Sequence, residues 1–243
     1  MKYLIKGLLN RLGYDINKYP NPDLRRRMEL IQKYSITRLL DVGANVGQYS
    51  SFMREIGYNG NIVSFEPLKS AYVKLAEASK TDSKWEIHNY GLGDLEDKFE
   101  INVSKKSVCS SLLDMTSEMK GTYQGFKYIG KEIIEVKTLD QVFNEISNIN
   151  DNILLKIDTQ GYEKLILEGA KDTLDKICLL QLELSVVELY KEELLLTDML
   201  SFLESKNFKL VSIETGMQHP KTAHLMQLDG LFVNRAMEIN PEL

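Results

Sequence analysis

Cysteine is nearly absent from the sequence: Cys109 and Cys178 are the only two. They supply neither a disulfide framework nor a zinc-ligand spacing, and they suit a reducing compartment. With 15 Gly and 5 Pro in 243 residues, collagen-like and low-complexity classes are excluded. Excess basic charge is also missing: 30 Lys and Arg against 35 Asp and Glu leave a net charge of −5. A nucleic-acid binder needs a basic surface to displace counterions, so none is expected as a partner. No apolar run approaches the roughly 20 residues of a membrane span. The opening stretch MKYLIKGLLNRLGY is broken by Lys6 and Arg11, which argues against a signal peptide. The expectation is a cytoplasmic globular protein.

The hydrophobic fraction of 43% supports a full core. Leu4, Ile5, Leu8, Leu9 and Leu12 share a helical face, with Lys2, Lys6 and Arg11 elsewhere. Such a helix packs on the domain or on a partner subunit, a homodimer being one form. A membrane-surface helix is the alternative. Pro20 and Pro22 break the chain, and Asp23 is placed to cap a second helix reaching Tyr34. Residues 1–35 therefore read as an N-terminal helical extension, and 36–243 as one α/β domain.

From residue 36 apolar strands alternate with helices: ITRLLDVG, NIVSFEP, KWEIHNYGLGD, NILLKID and ICLLQLELS carry the strands. That alternation signals a mostly parallel sheet covered on both faces. FEINVS reads as an added strand or hairpin arm. FKLVSIETG and LDGLFVNR have no helix between them and predict an antiparallel edge pair. Residues 104–130 are rich in Ser, Gly and Lys without a clear period, which predicts a mobile lid over the acceptor site.

The first strand runs into Asp41-Val42-Gly43-Ala44-Asn45-Val46-Gly47. A dinucleotide fingerprint would read G-x-G-x-x-G. Here Asn45 stands at its second glycine, and Asp41 would oppose a phosphate. A cationic ligand without phosphate, such as S-adenosylmethionine, suits the turn better. The second strand ends at Glu66-Pro67, whose carboxylate would face the same crevice and can accept both hydroxyls of a ribose. Its removal should therefore weaken binding more than folding. Alone, Glu66 reads as a solvated strand-end acid; beside the glycine turn it reads as a ligand group, for NAD as well as for S-adenosylmethionine.

Asp158 follows the most apolar strand and precedes a helix, so it lies at the carboxyl edge where ligands bind; a helix N-cap is its plain alternative. Glu183 and Asp229 are expected to converge with it. The three carboxylates could instead hold Mg²⁺, a hard ion that prefers oxygen ligands. His219 and His224 flank the turn around Pro220 and are candidate bases, with a surface hairpin as their commoner role. His88 reads as structural.

The stretches DVGANVGQYS, SFEP, HNYGLGD, LLKIDTQGYEKLILEGA and LQLELS resemble the FkbM family of S-adenosylmethionine-dependent methyltransferases, from about residue 36 to about residue 234. The KIDTQGYE stretch with its trailing LEGA is the specific part; DVGANVG marks only the wider methyltransferase class. The resemblance implies a Rossmann-like methyltransferase fold, seven-stranded with the last strand antiparallel. It implies O-methylation of a hydroxyl, on a sugar, a glycan precursor or a related small molecule. By position, Asp41, Gly43, Ala44, Asn45 and Gly47 match the methionine-binding turn. Glu66 with Pro67 matches the ribose acid, and Asn89 and Gly91 fall where adenine contacts arise. Asp158 is the first candidate for general base. An NAD-type oxidoreductase and a non-catalytic binding module are the competing classes.

Overall fold

The computed structural model describes residues 7, 9, 11–14, 19–122 and 126–239. The expected first helix rests largely on Leu4, Ile5 and Leu8, which lie outside the described residues. Among the described residues no helix is long and apolar enough to cross a membrane.

Five-residue apolar strands form the centre of the sheet, because both faces are covered. β1 (Arg38–Val42) and β7 (Ile153–Ile157) are buried along their whole length. They pair in parallel with each other, and β1 also pairs in parallel with β2 (Asn61–Phe65). With β3 (Trp85–His88), β8 (Ile177–Ser185), β9 (Phe208–Thr215) and β10 (Gln227–Asn234), the order is β3-β2-β1-β7-β8-β10-β9. β10 is antiparallel to both neighbours. The expected antiparallel edge pair is present, β9 and β10 pairing antiparallel; β10, the last strand, inserts between β8 and the edge strand β9, which runs with the rest. A hairpin read locally predicts pairing, not which arm joins the sheet first.

Side chains alternate across the strands. Leu40, Val42, Leu155, Ile157, Leu180 and Leu182 face one core layer with α5 (Leu139–Ile146), α6 (Glu163–Glu168) and α7 (Leu196–Ser205). Leu39, Leu154 and Leu179 face the other, with α1 (Pro22–Lys33), α2 (Gln48–Glu55) and α3 (Lys69–Ser79). Asp41, Lys156, Asp158, Gln181 and Glu183 share this second face by the same alternation. α1 is capped by Asn21, whose Oδ1 accepts from Leu24 N at 2.8 Å, rather than by Asp23, which sits in the first turn. Cys109 and Cys178 are both buried and unpaired.

A second sheet, β4 (Gly91–Leu92), β6 (Tyr128–Lys137) and β5 (Asp97–Ser104), takes in the FEINVS strand. The segment 104–130 is more ordered than its composition predicts. It carries a 3-10 turn at Ser107–Cys109 and the short helix α4 (Ser117–Thr122). Cys109, Met115, Met119 and Phe126 pack with Leu189, Tyr190 and Met226 into a small core of their own. The described part of the segment is therefore anchored by apolar side chains.

Candidate active site

The carboxyl ends of β1, β2 and β7 open into a cleft of about 820 Å³, counting the solvent at its mouth. Gly43, Ala44, Asn45, Glu66, Pro67, Gly91 and Asp158 all line it. Leu68, Leu92, Ile101 and Ile134 add an apolar wall, and Ser107, Val108, Ser110, Ser111 and Leu112 of the 104–130 segment cover it.

The glycine turn has a steric reason. Gly43 has φ +74°, and a Cβ there would lie 2.1 Å from the Asp158 carbonyl oxygen. The turn and the Asp158 loop therefore touch backbone to backbone. Asn45 also adopts a left-handed conformation, φ +48°, which asparagine tolerates. Gly47 caps α2 with φ +86° and does not line the cleft: its missing Cβ makes room for Leu75 and Trp85.

Glu66 is buried, and its two oxygens accept from Asn45 N and Leu68 N, each at 2.8 Å. Burial pushes its carboxyl up to about 7 despite those two hydrogen bonds. Each oxygen has a further lone pair beyond these bonds, and Glu66 lines the cleft. Asn89 plays a supporting part: its amide donates to Glu66 O at 2.9 Å and Pro67 O at 3.0 Å, and it does not line the cleft.

Asp41 does not face the ligand space. It is fully buried, accepts from Ser50 Oγ at 2.7 Å and pairs with Lys156 Nζ at 3.1 Å. Lys156, which does line the cleft, also lies 3.6 Å from Asp158 Oδ2 and sits over the Tyr49 ring at 5.3 Å. Sequence reasoning passed over Lys156, although a lone charge within ILLKI was the available signal.

Asp158 is held at its other oxygen by Gln160, whose Nε2 donates to Asp158 Oδ1 at 3.0 Å and to Glu183 Oε2 at 2.7 Å. Gln160 takes a left-handed φ of +59° and accepts from the Tyr190 hydroxyl at 2.8 Å. Strained backbone held by surrounding contacts is common at functional sites. Ser111 Oγ donates to the Gln160 carbonyl at 2.7 Å, tying the 104–130 segment to this hub. Gln160 was missed because its partners come from three distant segments.

Asp229 and Glu183 are partners across β10 and β8, and Glu183 lies one step past the Ile157–Leu182 pair. The expected convergence with Asp158 is therefore present. The Mg²⁺ expectation does not fit. Among the described residues no group of three His, Cys, Asp or Glu could hold an ion. Glu183 Oε2 instead accepts from two amides, Gln160 and Gln227, the latter at 2.8 Å. Burial, with Asp158 and the other nearby carboxylates, pushes the Glu183 carboxyl well above its usual range, and Asp229 moves the same way.

Neither His219 nor His224 lines the cleft. His219 Nδ1 accepts from the Lys221 and Thr222 amides at 3.3 and 3.1 Å, closing its own hairpin turn. His88 stacks on Phe65 with ring centroids 5.4 Å apart, a structural role.

The sequence profile of the methyltransferase FkbM domain matches residues 41–210. A 2-O-methyltransferase, NoeI, of Sinorhizobium fredii (strain NBRC 101917 / NGR234) is 24% identical over 226 residues, covering 87% of this chain and 91% of that protein. Methyltransferase 1 of Beauveria bassiana (strain ARSEF 2860) is 25% identical over 187 residues, covering 67% and 75%. Among solved structures, an rRNA methylase of Streptococcus thermophilus superposes with TM-score 0.49 at 8% identity, covering 89% of this chain and 99% of that one. A human methyltransferase 10 domain containing protein gives TM-score 0.46 at 10% identity, covering 96% and 94%.

Proposed function

Because this chain belongs to the FkbM methyltransferase family, we propose that it is an S-adenosylmethionine-dependent O-methyltransferase acting on a hydroxyl of a sugar, a glycan precursor or a related small molecule. The observation that carries this reading is the shared cleft of Glu66, the Gly43–Asn45 turn and Asp158. Residues 36–243 form the catalytic unit in this reading, with residues 1–35 as an N-terminal extension. The 2-O-methyltransferase relative supports a hydroxyl acceptor.

The residues fit the cofactor. Glu66 offers lone pairs to the ribose hydroxyls, the apolar wall of Leu68, Leu92, Ile101 and Ile134 suits an adenine ring, and the side-chain-free Gly43 lets backbone approach the amino-acid end. S-adenosylmethionine supplies a methyl group already activated on a sulfonium. What remains for the protein is alignment and removal of the acceptor proton. Asp158, fixed by Gln160 on one oxygen and faced by Lys156 on the other, takes that proton. The segment 104–130 excludes water from above.

Thermal denaturation with S-adenosylhomocysteine and with NAD tests the reading. S-adenosylhomocysteine at 100 times its Kd should add about 2.7 kcal/mol. A shift with NAD alone would favour an oxidoreductase, and no shift with either would leave a binding module.

A further inference from the structure

Asp41 and Lys156 are partners across β1 and β7, and Asp158 follows two residues later on the same face. Lys156 Nζ is 3.1 Å from Asp41 Oδ1 and 3.6 Å from Asp158 Oδ2. The Asp41 side chain is 0% exposed, that of Lys156 6%, and that of Asp158 40%. A leucine or methionine would fill this strand position with no desolvation cost, so packing does not call for an ammonium here. Burial pulls the Lys156 ammonium down, but Asp41 and Asp158 outweigh it and hold it above its ordinary value, hence charged. Two carboxylates and one ammonium sum to a single negative charge, and its exposed end is Asp158, in the cleft.

We propose that Lys156 sets the charge of the cleft floor: it cancels Asp41 and leaves one negative charge, on Asp158, matched to a ligand with one positive charge at its reacting centre. The inference rests on the cofactor reading above. It makes Asp158 the residue that favours the charged sulfonium over the neutral thioether left after transfer, and Lys156 the residue that removes the charge of Asp41 from the floor. Without Lys156 the floor would carry two adjacent anions, one of them buried with no cation.

S-adenosylmethionine and S-adenosylhomocysteine share their adenosine and amino-acid parts, so the ratio of their affinities isolates the sulfonium charge. Calorimetric titration of both into the full chain at pH 8 reads that ratio. Asp158→Asn takes the floor from −1 to 0, and the ratio is expected to move about tenfold toward S-adenosylhomocysteine. Lys156→Met alone leaves Asp41 buried and unpaired and is expected to fold poorly. Combined with Asp41→Asn it keeps the floor at −1, and the ratio is expected to stay within about threefold of the parent. Circular dichroism confirms folding of each variant. An unchanged ratio in Asp158→Asn overturns the inference, and so does a double variant that shifts as far as Asp158→Asn. A parent protein that binds neither ligand overturns the cofactor reading, a result distinct from either.

Discussion

Glu66 accepts a hydrogen bond from the backbone N–H of Asn45 at 2.8 Å, so the end of β2 holds the glycine turn that follows β1. Its other oxygen holds Leu68 N in the same way. The acid read as a ribose ligand thus also shapes the site. The expectation that its loss would spare folding changes accordingly. Glu66→Ala leaves two N–H groups without acceptors, at a cost of about 1–3 kcal/mol each. Glu66→Gln keeps one acceptor oxygen and should lose only about half as much stability as Glu66→Ala, yet bind S-adenosylhomocysteine at least about tenfold more weakly. Urea denaturation and calorimetry on both variants check this. A glutamine variant that binds as tightly as the parent would remove Glu66 from the ribose site.

The same burial produces a pH dependence. Glu66 and Glu163 are both pushed up to about 7 from 4.5. A raised carboxyl stabilises the fold fully below its unfolded value, and that contribution is lost as pH rises through 7. The full rise corresponds to roughly 3 kcal/mol per group. The ligand-free protein should therefore melt higher at pH 6 than at pH 8. Glu66→Gln should shrink the difference by its share. Hydroxyl donors on Glu66 favour its anion, so S-adenosylhomocysteine should also shrink it. Melting curves at the two pH values, with and without ligand, decide. A parent advantage of pH 8 over pH 6 that Glu66→Gln leaves unchanged would contradict the account.

Gly43→Ala should be among the most damaging single changes. Its Cβ would fall 2.1 Å from the Asp158 carbonyl, at φ +74°. Both the strain and the displaced loop argue for a loss of about 2–4 kcal/mol. An unaltered urea midpoint would show that the Asp158 loop does not rest on the turn.

The covering segment offers its own readout. Its core side chains are anchored, but Lys105 and Lys106 are exposed beside Ser107, which donates to Asn45 Oδ1 at 3.0 Å. Trypsin should cut at these lysines, and S-adenosylhomocysteine with an acceptor should slow the cut by closing the segment on the cleft. Mass spectrometry of the fragments locates the cleavage. Equal rates with and without ligands would indicate a fixed cover rather than a closing lid.

The central sheet was legible because its parallel strands announce themselves locally: ILLKI and ICLLQL are apolar but for Lys156 and Gln181, and glycine turns follow β1 and β7. This side of the cleft was legible for the same reason, since Gly43, Asn45 and Glu66 lie at strand ends. What sequence could not give were contacts made at long range. Met115 and Met119 have helical spacing, but their partners Leu189, Tyr190 and Met226 are some seventy or more residues away. Gln160 reads as a polar loop residue until Tyr190, Glu183 and Ser111 are placed around it. Asp41 looked like a ligand group because its neutralising cation sits on another strand. His219 is a different case: its ring accepts from the N–H groups of Lys221 and Thr222, two and three residues on, a local contact that only the folded turn displays.

Methyl transfer to oxygen is the central claim, and isotope labelling tests it most directly. The protein is incubated with S-adenosylmethionine deuterated at the methyl group and a panel of neutral oligosaccharides and nucleotide sugars, and products are analysed by mass spectrometry. The account predicts one labelled methyl on an acceptor oxygen, with the rate falling about 10²–10⁴-fold in Asp158→Asn. Label found on nitrogen or carbon, or a rate that Asp158→Asn leaves unchanged, would contradict it.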